Sequence, residues 1–102
     1  MKIIAENRKA RHLYQIIDTL EAGIELKGTE VKSLRNHLVN MTDAFCRGKD
    51  GELWLMNLQI SPYVFGNLYN HDPLRSRRLL LHKKEAVRWS SLSEQKGLTI
   101  IP

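Results

Sequence analysis

EAGIELKGTEVKSLR, residues 21–35, decides the fold, because a period of two gives way there to a period near 3.6. Ala22, Ile24 and Leu26 alternate with Glu21, Glu25 and Lys27, the alternation stops at Gly28, and Val31, Leu34 and Leu38 then recur at helical spacing. The stretch predicts a strand that turns sharply into a helix. Thr29 is a favourable N-cap, Glu30 complements the positive end of the helix, and Lys32 and Arg35 lie one turn apart on its outward face before it ends near Asn36.

Upstream, residues 13–27 extend the strand, with Gly23 where a bend or bulge would turn the corner of a small barrel. Residues 6–12, ENRKARH, are helix formers without an apolar stripe and predict a short exposed helical turn. Downstream, residues 40–49 alternate again, and 52–60, ELWLMNLQI, are dense enough to be buried on both faces. Between them Asp50-Gly51 is a hairpin signal, since both turn positions need positive φ. Residues 61–78 have no period and hold two prolines, a glycine and two asparagines, which predicts a functional loop. Leu79 to Leu81 form a short buried strand or a helix entry, residues 83–95 a helix with Ala86, Trp89 and Leu92 on one face, and 98–101 a further edge strand after a cap at Gly97. The fold class is mainly β with helices, a small antiparallel barrel that closes incompletely.

A chain of 102 residues is one domain, burying roughly 60–65% of its unfolded surface. The lone Cys46 can form no internal disulfide, sits where a small apolar residue would serve, and points to a reducing compartment. The N-terminus lacks the apolar core of a signal peptide and no apolar run approaches about 20 residues, so a cytoplasmic protein without a membrane partner is expected.

The formal charge of +5 and a pI near 9.6 raise the question of a polyanionic partner. Ten of the 16 cations fall in two stretches: Lys2, Arg8, Lys9 and Arg11, then Arg75, Arg77, Arg78, Lys83, Lys84 and Arg88. Tyr63, Phe65 and Tyr69 precede the second cluster, a mixture suited to stacking unpaired bases while neutralising phosphates. The plainer alternative makes the aromatics a lid on the core and the arginines a solvated rim. Because Arg75 and Arg77 alternate, they face one way in an extended segment and Arg78 the other. His12, His37, His71 and His82 match no metal-ligand spacing, and His71-Asp72-Pro73 has turn chemistry. No phosphate-binding glycine loop or nucleophile elbow occurs. Neither a cofactor, a metal, a small-molecule substrate nor catalysis is indicated.

Together NRKARH, EAGIELKGTEVKSLR, QISPY, GNLYNHDPLRSRRLLLHKKE and KGLTIIP resemble the SmpB family, the tmRNA-binding or SsrA-binding proteins, from about Asn7 to Pro102. The resemblance implies an oligonucleotide-binding-type (OB-fold) antiparallel β-barrel with three short helices. It implies a non-catalytic adaptor that grips the tRNA-like domain of tmRNA and carries it to stalled ribosomes for trans-translation. Family RNA-contact positions fall on Asn7, Glu21, Leu80 and His82. Glu21 is repelled by phosphate, so in that role it accepts hydrogen bonds from base amino groups or a 2′-hydroxyl; its alternative is a salt bridge to a nearby arginine. Leu80 would pack on a base or sugar and His82 supply a hydrogen bond. Lys9, Arg11, Lys32, Arg35, Arg75 and Arg77 are phosphate candidates, chosen on charge and facing. The family commonly continues with further strands and a basic tail that enters the ribosome, so the barrel is expected to lack its last strands here. Gln59 replaces a histidine often found before the SPY run, and Ala86 is smaller than the usual isoleucine.

Two other readings compete. A barrel module could bind a ribosomal or other protein through the Tyr63 to Tyr69 loop, with only non-specific RNA affinity. A metal-dependent nuclease would use His71, Asp72 and His82.

Overall fold

The Asp50-Gly51 hairpin anchors the architecture. Strand β3 (Phe45–Lys49) pairs antiparallel with β4 (Glu52–Met56), Lys49 opposite Glu52, and the turn residues have φ of 54° and 75°. Both values are those of the hairpin turn whose twist matches the flanking strands. A computed structural model describes residues 3–63, 70–95 and 97–102, without the Arg11 side chain. Phe65, Tyr69 and Lys2 therefore lie outside the described residues, as does the Arg11 guanidinium.

In chain order the elements are α1 (Arg8–Leu13), β1 (Gly23–Ile24), α2 (Gly28–Arg35), β2 (Val39–Asn40), β3, β4, β5 (Gln59–Ile60), β6 (Arg77–Leu80) and α3 (Lys83–Ser93). One sheet has the order β1-β6-β4-β3 and a second pairs β2 with β5, all antiparallel. The three helices and the antiparallel pairing are those expected. Among the described residues the strands form two sheets rather than one closed ring.

Leu53, Leu55, Leu58 and Ile60 are at most 5% exposed and form the core with Ala44 and Cys46. Each large aliphatic side chain so buried stabilises by about 1.5–3 kcal/mol. In β4 burial alternates: Leu53 and Leu55 face inward while Trp54 and Met56 are half-buried, so the run is fully buried on one face only. Asn57, at φ 55°, then lets the chain leave β4 for β5.

Helix α3 lies against the hairpin because Gly48 permits it. A Cβ there would stand 2.3 Å from Ser90 Oγ and 2.7 Å from Ser90 Cα. The Gly48 N–H donates to Ser93 Oγ (3.1 Å), and Trp89 packs on the core.

Several elements differ from expectation. The strand predicted over residues 13–27 is confined to Gly23–Ile24, which face Leu80 and Leu79. A strand needs a neighbour for its backbone groups, and among the described residues 14–20 are in no ladder. The burial alternation through 21–27 does hold, with Ala22, Ile24 and Leu26 inward. Residues 40–49 break into two strands because Asn40 Oδ1 accepts from the Thr42 N–H (2.9 Å) and hydroxyl (2.5 Å) and closes a local turn. Residues 98–101 contribute a single bridge, Ile100 to Cys46, with the Cys46 N–H donating to the Ile100 carbonyl at 2.7 Å.

Helix α2 begins one residue before Thr29, with Lys27 as its N-cap. The Lys27 N–H donates to Glu30 Oε1 (2.7 Å), one half of a capping box. Thr29 instead directs its hydroxyl to His71 Nδ1 (2.8 Å).

Candidate functional site

The reading of the basic face depends on where the side chains of the second cationic cluster point. Arg77 points inward. Its side chain is wholly buried, Nε donates to Glu30 Oε2, Nη1 to the Leu58 carbonyl (2.7 Å) and the Arg75 carbonyl (3.1 Å), and Nη2 to the Pro73 carbonyl (3.2 Å). A guanidinium with every face occupied in the interior cannot meet a phosphate. Its assignment as a phosphate contact is corrected: Arg77 is the counter-ion of a buried glutamate.

Arg75 shares that glutamate. It donates from Nε to Glu30 Oε2 (3.1 Å) and from Nη2 to Oε1 (2.5 Å), and binds the Glu25 carbonyl (3.2 Å). Its side chain remains 22% exposed, so this fork is held in place with one edge toward solvent. The two arginines thus face the same way, as alternation predicts, but toward Glu30 on α2. Burial pushes the Glu30 carboxyl up, and the hydrogen bonds from Arg75, the Lys27 N–H and Arg77 outweigh it and hold the group below 4.5.

Arg78 turns to the other face, bridging Glu25 (2.9 Å) and Glu52 (3.2 Å) across β1, β6 and β4. Those carboxylates raise its pKa. Glu21, for which an arginine partner was the alternative, has no ion pair among the described residues and is exposed.

Glu21, Leu80 and His82 come together. All three line an open groove of about 660 Å³ between β6, the 50–51 turn and the first turns of α3. Gly23 sets Leu80 there, since a Cβ on it would lie 3.2 Å from Leu80 Cβ; close approach, and not a bulge, explains this glycine. Leu80 is 47% exposed although the strand segment around it is apolar. His82 is the N-cap residue of α3, where its carbonyl accepts the Ala86 N–H (2.9 Å) and its exposed ring makes no cap bond.

The remaining candidates are dispersed. Lys32 and Arg35 are exposed on α2, Lys32 Nζ lying 5.5 Å from the Tyr63 ring centre, a cation–π distance. Lys9 is exposed on α1. Asn7 precedes α1, and its side-chain amide donates to the Pro102 carbonyl (3.1 Å). At the loop neck, Asn70 accepts the Tyr63 N–H (3.1 Å) and donates to the Tyr63 carbonyl (2.7 Å). His71 is buried and links Thr29 to the Ile60 carbonyl (2.7 Å), and Asp72 Oδ1 accepts the Leu74 N–H (3.0 Å), the turn chemistry expected of that tripeptide.

Sequence reasoning passed over Glu30 as an acceptor of two arginines and over Val87 as a groove residue. The pairs to Glu30 span 45 and 47 residues, which no periodicity signals. Val87 carried a signal: it is an apolar residue off the Ala86–Trp89 face of α3, and it is 47% exposed.

The SmpB protein family profile matches residues 4–102. An SsrA-binding protein of Enterococcus hirae is 55% identical over 101 residues, 99% of this chain and 66% of that protein. One of Ligilactobacillus salivarius is 57% identical over 99 residues, 97% of this chain and 64% of that protein. A solved structure described as "tmRNA-SmpB: a journey to the center of the bacterial ribosome" superposes with a TM-score of 0.77 at 58% identity, covering 96% of this chain and 68% of that one. The chain spans about two thirds of the length of the curated relatives it matches.

Proposed function

The chain belongs to the SmpB family, and from that premise we propose that it is an RNA-binding adaptor for the tRNA-like domain of tmRNA, delivering it to stalled ribosomes for trans-translation. The observation that carries the reading is the meeting of Glu21, Leu80 and His82 in one groove, an acceptor, an apolar wall and an imidazole drawn from segments about sixty residues apart. Such a set takes an unpaired nucleotide by its edge and face, and leaves the backbone to cations elsewhere. Lys32, Arg35 and Lys9, exposed on two helices, serve that second task. Arg75 adds a cation whose orientation Glu30 has already fixed.

The names of the relatives, SsrA-binding proteins, and the ribosomal tmRNA-SmpB structure support both partners. The role requires binding and no bond-making step, and it belongs in the cytoplasm, where ribosomes translate. No helix among the described residues is long and apolar enough to cross a membrane.

Filter binding to a tmRNA acceptor fragment and to an unrelated hairpin RNA, across a salt series, tests the proposal. Preference for the tmRNA fragment that persists as salt rises supports it; equal affinity for both RNAs at every salt concentration overturns it.

A further inference from the structure

We propose that the extended segment 14–20 is a self-recognition edge, along which a second copy of this chain adds antiparallel. The inference does not depend on the RNA reading. Of the nine large apolar side chains that stand exposed among the described residues, six fall within residues 3–17. Leu13, Tyr14, Ile16 and Ile17, at 48–77% exposure, gather where α1 gives way to extended backbone at Tyr14. Single apolar residues on a surface need no explanation, whereas a contiguous run of them marks an interface.

The backbone gives a second, independent signal. Residues 15–20 lead into β1, but β6, which pairs with β1, ends at Leu80 and the chain turns into α3 at Lys83. Among the described residues the segment therefore has no strand beside it, and its tie to the rest of the molecule is the surface pair of Asp18 with Arg88 (3.4 Å). Extended backbone with unpaired N–H and C=O groups and apolar side chains is a template for strand addition.

Charge decides what adds. The α1 sequence RKARHL, on the N-terminal side of the apolar centre, is basic, and Asp18 and Glu21 lie on the other side. A uniformly acidic partner would be repelled at one end and a uniformly basic one at the other. An antiparallel copy presents the opposite sign at both ends. Centred on Gln15, it sets Tyr14 opposite the partner's Ile16 and Leu13 opposite the partner's Ile17, apolar against apolar. Such a contact uses the same patch twice and closes at two chains.

Sedimentation equilibrium of the full chain, from low to high micromolar concentration, tests the edge. The wild-type mass should rise from one chain to two and no further. Ile16→Lys and Ile17→Lys change side chains that are 57% and 77% exposed, so helix content should stay at the wild-type value. Each should raise the dissociation constant at least about tenfold, since it replaces an apolar cross-strand contact by a charge. Gln15→Cys, on the twofold axis, should oxidise in air to a disulfide-linked pair, while the wild type, whose single thiol Cys46 is buried, stays unlinked. A wild type that remains one chain at every concentration overturns the proposal, as does a mass that climbs beyond two. A dimer that survives both lysine variants, or in which Gln15→Cys stays unlinked, is built on another surface or in another register and overturns it as well.

Discussion

Arg77 and Glu30 meet in the interior from 47 residues apart, each side chain wholly buried, and their contact ties β6 to the first turn of α2. Charges are costly to desolvate, and further hydrogen bonds offset that cost for this pair: Arg75 and the Lys27 N–H donate to Glu30, and the Leu58, Arg75 and Pro73 carbonyls accept from Arg77. Among the described residues no buried side-chain nitrogen or oxygen lacks a partner.

Removing one member leaves the other charged and partly unpaired. Arg77→Met is expected to destabilise the fold by about 3–5 kcal/mol, seen as a lower urea midpoint. Arg78→Met, which breaks only surface pairs, should leave the midpoint nearly unchanged. Similar midpoints for the two variants would contradict the structural role given to Arg77.

Acidification acts through Glu30. Its folded pKa lies below 4.5, so the stability it contributes is fully present above that value and is lost as pH falls through the lowered one. Glu30→Gln cannot titrate. The urea midpoint of the wild type should therefore exceed that of Glu30→Gln most clearly near neutrality, and the gap should narrow below pH 4.5. A gap that widens on acidification is the wrong sign for a carboxylate held ionised.

Two glycines that look alike in sequence should respond in opposite directions. Gly48→Ala drives a methyl into the Ser90 backbone and should cost about 1–3 kcal/mol. Gly28 has nothing within 4 Å of an added Cβ, opens α2 and has no positive φ, so Gly28→Ala should be neutral or stabilise by about 0.4–1 kcal/mol. Chemical denaturation of the pair decides it, and a destabilised Gly28→Ala would restore Gly28 as a required corner.

Burial pushes the Cys46 thiol up to about 11, and its N–H is held by Ile100. At pH 8 a disulfide reagent should modify it slowly in the native protein and rapidly in urea. Equal rates would mean that the Ile100 segment leaves β3 open.

On RNA, Lys32→Ala and Arg35→Ala should each reduce the slope of log affinity against log salt by about 1, uniformly across sequences. Glu21→Ala should keep the slope and lose preference for the tmRNA fragment. Arg77→Met, where it remains folded, should alter neither.

Short-range signals were legible because their causes are short-range. The Asp50-Gly51 turn, the inward alternation of Ala22, Ile24 and Leu26, the helix carrying Ala86 and Trp89, and the turn at Asp72 each follow from φ preference or from one face seeking apolar contact within a few residues. The α2 helix was also visible, but its buried side was not: Glu30 and Ser33 face inward, the latter donating to the Ser61 carbonyl at 2.7 Å. A polar residue can be buried only where a distant partner meets it, and hydrophobic periodicity carries no record of that partner.

By itself, then, the sequence determined that this basic chain folds as short antiparallel strands with three helices, and that Glu21, Leu80 and His82 belong to an SmpB-like chain. Only the tertiary structure decided which arginines are available to a ligand. Arg75, Arg77 and Arg78 lie within four consecutive positions, yet the first is clamped at the surface, the second buried and the third bridged on the opposite face. Charge is a property of the residue, whereas access to that charge depends on which carboxylates the fold brings within hydrogen-bonding reach.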